Sequence, residues 1–320
     1  MKVLTVLGDV EATDLGAVFI HEHLILDNAH IEENFPHIHL PSVDDAVAEL
    51  EPCVEAGAGT MVDAMPAAGG RHPARLADIS RRTGMHILAT TGLHTPKYYV
   101  HHPFATGASV EQLAALFIGD VEEGIDRYDY TGPVVERTDH RAGVIKVATT
   151  EVGVDDRARR VFEAATVAST TTGAPILTHT EDGAKAAEQV EEFHRLGFPL
   201  RRVVISHTDK TMDFGYHRSL LESGVYLEYD QALRQDPADP KGTAWLVARA
   251  AEEGFLDQIT LGTDGARRTL WSTFGGAPGL AWMRTGFLDK LRGHGLTDQQ
   301  IASVWTTNPQ RFLSLEVLAA

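Results

Sequence analysis

Eight short apolar runs, separated by amphipathic stretches, constrain this chain more than any other feature. They are Ala17–His21, Thr60–Ala64, His86–Thr91, Gly143–Ala148, Pro175–His179, Val203–His207, Val225–Tyr229 and Ile259–Asp264, and each reads as a β-strand. Helix-like segments lie between them: Val43–Ala56, Arg75–Thr83, Arg157–Thr172, Ala184–Leu196 and Trp245–Gly254. A last helix follows Thr297, an N-cap candidate with Gln300 three residues on. Eight strands alternating with helices predict an α/β fold of the (β/α)8 TIM-barrel type. A doubly wound sheet is the alternative, but no Gly-rich phosphate loop follows the first strand. No low-complexity segment, charge block or Gly/Ser linker divides the chain. Its 320 residues, 43% of them hydrophobic, suffice for one large core. Barrels of about 250 residues or more are routinely one domain, so a single domain over 1–320 is expected.

The polar chemistry gathers at the C-terminal ends of these runs. The first closes on His21-Glu22-His23. Histidines at i and i+2 of a strand point the same way and can converge on a divalent metal. Alone, such a pair is as often a surface coincidence. The fifth run leads into His179-Thr180-Glu181, the sixth into His207-Thr208-Asp209 and the eighth into Asp264-Gly265. The fourth carries Lys146 among apolar neighbours. In a barrel these ends share one mouth, where active sites sit. Any one strand-end histidine could simply be bonded to a loop, and Asp264 could be a turn residue or helix cap. Lys146 is harder to explain that way. An unpaired buried ammonium is costly, so it either reaches the mouth and pairs or is chemically modified. Together the six residues favour a metal centre, in keeping with a histidine count of 16.

The net charge of −17 argues against nucleic acid and anionic membranes as partners, and it requires local Arg or Lys for any anionic substrate. The lone cysteine, Cys53, excludes an intramolecular disulfide. Asp9, Glu11 and Asp14 interrupt the first 16 residues, which therefore do not read as a signal peptide. No apolar run approaches the roughly 20 residues of a membrane span. A cytoplasmic location is expected.

His-x-His after the first strand, Lys on the fourth, His on the fifth and sixth and Asp on the eighth resemble the phosphotriesterase family of the amidohydrolase superfamily. The similarity runs nearly end to end. It includes Gly16–Leu24, Val62-Asp63-Ala64, Ala89-Thr90-Thr91-Gly92-Leu93, Ile145-Lys146-Val147-Ala148 and Asn308-Pro309-Gln310-Arg311-Phe312. The resemblance implies a binuclear centre. His21, His23 and Asp264 would bind the more buried ion, and His179 and His207 the more exposed one. Lys146 would bridge them as a carbamate formed with CO2, because an ammonium has no lone pair to donate. Zinc suits the set; cobalt, manganese and iron are alternatives. A bridging hydroxide would be the nucleophile, the exposed metal would polarise the substrate oxygen, and Asp264 would pass the proton to the leaving group. Organophosphate hydrolases relay that proton through an Asp three residues after the sixth-strand His. Here that position is Lys210, with Asp209 one residue earlier, so the chain departs from the relay.

The interval from His207 to Asp264 is short for the organophosphate-degrading branch and looks more like the lactonase and phosphotriesterase-related branches. The expected substrate is a small molecule, a lactone that bears an anionic group such as a phosphate on a sugar. Phosphotriester hydrolysis would be a weak side activity. Tyr98, Arg234 and Arg268 are the candidate substrate contacts, each able instead to serve only its own loop. Hydrolysis of a small N-acyl compound or carboxylate ester is the enzymatic alternative, and a non-catalytic metal-binding barrel the alternative from another class. Family resemblance implies a homodimer.

Overall fold

In a computed structural model, which describes residues 1–236 and 238–317, the chain opens with an antiparallel hairpin of β1 (Lys2–Thr5) and β2 (Gly8–Glu11). Eight parallel strands follow as a nearly closed barrel: β3 (Ala17–Glu22), β4 (Ala58–Asp63), β5 (His86–Gly92), β6 (Ala142–Ala148), β7 (Ile176–His179), β8 (Val203–Ile205), β9 (Tyr226–Tyr229) and β10 (Ile259–Leu261). Each pairs with its sequence neighbour, as right-handed strand–helix–strand units require. The principal helices are Val43–Glu55, Pro73–Thr83, Val110–Glu122, Asp156–Thr172, Ala186–Arg195, Phe214–Glu222 and Thr243–Glu252. After β10 come Gly286–Gly293 and Asp298–Ala302, then a π-turn, Ser303–Thr307, that runs into Asn308–Leu313.

The TIM-barrel expectation holds, but the hairpin and the helices Val110–Glu122, Phe214–Glu222 and Gly286–Gly293 were not anticipated. The hairpin is too short for its pattern to register. The helix Val110–Glu122 was legible, because Ser109 and Gln112 form a capping box of the kind recognised at Thr297 and Gln300. Two strands are also shorter than their apolar runs. His207 and Asp264 take left-handed backbone angles, with φ of 66° and 45°, and leave the ladder before the run ends.

Two apolar layers position the mouth. Val18, Ile20, Val62, Leu88, Val144, Leu177, Val204 and Tyr226 fill the barrel, stoppered by Leu15, Phe312 and Leu313. Phe19, Met61, Ile87, Ile145, Ile205, Leu227 and Leu261 face the helices. The seam between β10 and β3 is closed by the residues that follow them. Thr263 and Asp264 donate their backbone N–H groups to the His21 carbonyl at 3.2 and 3.0 Å. The buried Glu22 carboxyl accepts the Thr263 N–H at 2.8 Å and the Thr263 hydroxyl. Gly262 allows this approach. A Cβ there would lie 2.7 Å from Glu228 Oε1 and 2.9 Å from the His21 backbone. Among the described residues, no helix is long and apolar enough to cross a membrane.

Candidate metal centre

Simple alternation along β3 would turn His21 outward. Phe19 packs in the outer layer against Trp305, at 4.9 Å between rings, and Ile20 points into the barrel. A register irregularity between Phe19 and Glu22 resets the phase. His21 therefore faces inward, with Nε2 3.0 Å from Lys146 Nζ. His23 follows on the same side, its ring centre 5.5 Å from that of His21. Their Nε2 atoms lie 3.9 and 3.4 Å from Asp264 Oδ1, and the three residues offer donor atoms within 4.8 Å of one another. The His207 ring lies beside that of His21, tilted by 44° with 4.8 Å between ring centres. His179 Nδ1 approaches His207 Nε2 at 2.8 Å. All six residues singled out from the sequence thus meet at the mouth.

The hydrogen bonds behind these rings show what the site is built for. His207 donates its Nδ1–H to Asp230 Oδ2 at 2.6 Å. Burial opposes ionisation of Asp230, but the facing His207 outweighs it and holds the carboxyl well below the usual range. His179, kept neutral by burial with its pKa down at about 3, donates Nε2–H to Glu181 at 3.2 Å. That bond brings Glu181 down to about 2. With the other nitrogen of each ring committed to a carboxylate, His179 Nδ1 and His207 Nε2 are left facing each other across 2.8 Å, where a proton or a metal ion can lie between them. His21 is backed in the same way, with Nδ1 3.3 Å from the fully buried Glu228. Imidazoles aimed by carboxylates, a nearby Asp264 and a buried lysine form a donor set that fits divalent ions.

Burial lowers the Lys146 pKa to about 8, against the opposing pull of Asp264, Glu228, Asp230 and Asp63, so a neutral amine is accessible near physiological pH. Burial would raise the Asp264 carboxyl, but Arg234 and the surrounding histidines hold it well below the ordinary range.

Glu228, Asp230 and Glu181 are the functional residues that the sequence reading missed. Glu181 sits two residues after His179 and could have been noticed. Glu228 lies on β9, which carries no histidine, and Asp230 directly follows it. Removing a carboxylate behind a metal-binding histidine typically costs 10–100-fold in affinity or activity. Asp230→Ala is expected to lose metal from the centre by about that factor, read as residual metal after dialysis against a competing chelator. Unchanged retention would mean that Asp230 does not aim His207.

Asp209 does not replace the missing relay. It is buried and accepts the backbone N–H groups of Asp230 and Gln231 at 3.1 and 2.9 Å and the Thr243 hydroxyl at 2.5 Å, stapling the loop after β9. Lys210 is exposed.

His21, His23, His179, His207 and Asp264 form the floor of a cavity of about 280 Å³, with Lys146 buried beneath it; the walls include Leu26, Phe35, Ile38, Met65, His94 and Tyr98. Tyr98 thus lies where expected. Arg234 reaches the cavity but is engaged. It donates to the carbonyls of Thr263, at 2.6 Å, and Asp264, and sits 3.3 Å from the Asp264 carboxylate. Arg268 points away. Its guanidinium lies 3.7 Å over the Phe274 ring and donates to the His39 carbonyl at 3.1 Å. The neighbouring Arg267 lines the cavity instead, together with Lys97.

A family model described as the phosphotriesterase family matches residues 1–313. A phospho-furanose lactonase of Mycoplasmopsis synoviae is 29% identical over 323 residues, covering 98% of this chain and 91% of that protein. A phosphotriesterase homology protein of Mycobacterium tuberculosis is 30% identical, covering 96% of each. Among solved structures, an amidohydrolase from Mycoplasma synoviae superposes with a TM-score of 0.89 at 28% identity, covering 98% of this chain and 92% of that one.

Proposed function

This chain belongs to the phosphotriesterase family of metal-dependent ester hydrolases, and from the mouth chemistry we propose that it opens a lactone bearing an anionic group, with a phosphorylated sugar lactone as the leading candidate. In this reading His21, His23 and Asp264 would hold the more buried of two divalent ions, and His179 and His207 the other. Lys146 would span them after its neutral amine adds CO2 and releases a proton. Zinc is the proposed metal. When bound, the ions lower the pKa of water and polarise the scissile carbonyl. The chain's own work is positioning and proton transfer. Asp264 takes the proton of the attacking water and delivers it to the departing ring oxygen. Arg234, already paired with Asp264, keeps that carboxylate ionised and in place.

The observation that carries the metal reading is the pair of imidazole nitrogens opposed at 2.8 Å with their other nitrogens committed to carboxylates. Metal analysis of purified protein should find about two divalent ions per chain. Fewer than about one, with no ester or lactone hydrolysis after Zn2+ or Co2+ and bicarbonate are supplied, would overturn it.

The anionic substrate is supported by cations in a protein of net charge −17. Lys97 and Arg267 line the cavity, and among the described residues neither side chain has an ion-pair partner. An Arg–phosphate contact is charge-assisted and can be bidentate. Arg267→Ala should raise KM for a phosphorylated lactone by about 10–100-fold, the size of one charge-assisted hydrogen bond, and leave an uncharged lactone within about 3-fold. Equal effects on both substrates would remove Arg267 from anion recognition. A slow hydrolysis of p-nitrophenyl phosphotriesters is expected from the same centre.

A further inference from the structure

His94 has no role in the reading above, yet its environment is unusually well defined. It follows β5, is buried, and lines the cavity beside the floor. Its ring lies 4.6 Å from that of His179 and 4.7 Å from that of Tyr98. Its backbone is held at both polar groups. The N–H donates to the Tyr99 hydroxyl at 2.7 Å, and the carbonyl accepts from Arg157 Nη2 at 2.9 Å. Arg157 itself lies over the Tyr99 ring, 5.6 Å from its centre.

The decisive contact is on the ring. The backbone N–H of Thr95 points at His94 Nδ1 at 2.7 Å. A backbone N–H can only donate, so Nδ1 is the acceptor and carries no proton. The single ring proton of a neutral imidazole must then sit on Nε2. Among the described residues, no group accepts a hydrogen bond from Nε2. The chain therefore fixes the tautomer and leaves the donor for whatever fills the cavity.

We infer that His94 is a preorganised, uncharged N–H donor to an oxygen of the substrate. It is not a metal ligand, because the nitrogen with the lone pair is occupied by the backbone. A donor fixed in advance costs no reorganisation when the substrate arrives. The acceptor is either the acyl oxygen or a hydroxyl of the lactone ring. The choice of substrate rests on the lactone reading; the donor itself does not.

Two measurements test this. Long-range 15N spectra of histidine-labelled protein, assigned by loss of one ring in His94→Phe, should place Nε2 in the protonated range and Nδ1 in the unprotonated range at neutral pH. The opposite tautomer, or a charged ring, overturns the inference whatever the substrate proves to be. In kinetics on the lactone that the wild type opens best, His94→Phe should lower kcat/KM by at least about 10-fold, and His94→Gln, whose amide can place an N–H near the same point, should stay within about 3-fold. Both variants should keep the wild-type metal content and circular dichroism. If the acceptor is the acyl oxygen, His94→Phe lowers kcat on every lactone. If it is a hydroxyl, the loss vanishes for the matching deoxy-lactone. Wild-type kinetics in His94→Phe, equal losses in both variants, or loss of metal in His94→Phe would each overturn the inference. A wild type that opens no lactone but shows the Nε2–H tautomer would remove the lactone reading and leave the donor standing.

Discussion

Lys146→Ala will strip the centre of metal and lower lactone hydrolysis by on the order of 10³-fold or more, about 4 kcal/mol of transition-state stabilisation. The expectation follows from where Lys146 sits. Its side chain is fully buried, and its Nζ is 3.0 Å from Nε2 of His21, whose ring lies 4.8 Å from that of His207. Alanine removes the group proposed to bridge the two ions and leaves a hole of side-chain size. A short carboxylate can enter that hole and present two oxygens where a carbamate would have presented them. Acetate or propionate should therefore restore part of both metal content and activity to Lys146→Ala, and do nothing for the wild type. Metal analysis and kcat with and without acetate are the measurements. A Lys146→Ala protein with full metal and full activity would sink the carbamate, and with it the bridge between the ions.

Asp264→Asn will lower kcat by about 10²–10⁴-fold, the usual contribution of a positioned general base, with a smaller loss of metal than Lys146→Ala shows. Asparagine keeps the size and one oxygen near His23 Nε2, which Asp264 meets at 3.4 Å. It cannot take a proton, and it loses the charge that Arg234 faces. The split is informative. If Asp264 were only a ligand, activity would follow metal occupancy and saturating metal would restore it. If it moves the proton, kcat stays low in the metal-loaded variant. A metal-saturated Asp264→Asn protein within 10-fold of wild-type kcat would leave the proton transfer to another group. Lys210, exposed where the organophosphate hydrolases carry an aspartate, is not placed to serve, and Asp209 is committed to the loop after β9.

The six donors were legible because each lies at or near the end of a local apolar run, and chain order alone brings strand ends of a barrel to one mouth. The groups that make the donors usable were not. Glu228 and Asp230 read as ordinary acidic residues in and just after a strand, and their value appears only when β9 is laid beside β8 and the first strand of the barrel curls round to meet them. The arginines show the same limit. Arg234, Arg267 and Arg268 are equivalent as letters, but one clamps Asp264, one lies open to the cavity and one packs on Phe274. His94, to which the sequence assigns no role, acquires a fixed tautomer from a single backbone N–H.

By itself, then, the sequence determined the barrel, the order of its strands, the six converging donors and the family. The barrel, strand order and converging donors follow from local apolar periodicity and from spacing along the chain, and the family from the motifs that resemble it. Tertiary structure decided that His21 faces inward, since a ladder irregularity reverses the phase that alternation assigns. It decided which nitrogen each imidazole presents, because the partner on the far nitrogen comes from a distant segment for His21 and His207. It also decided which cations remain free for a substrate. Those outcomes depend on contacts between residues far apart in the chain, and no local pattern encodes them.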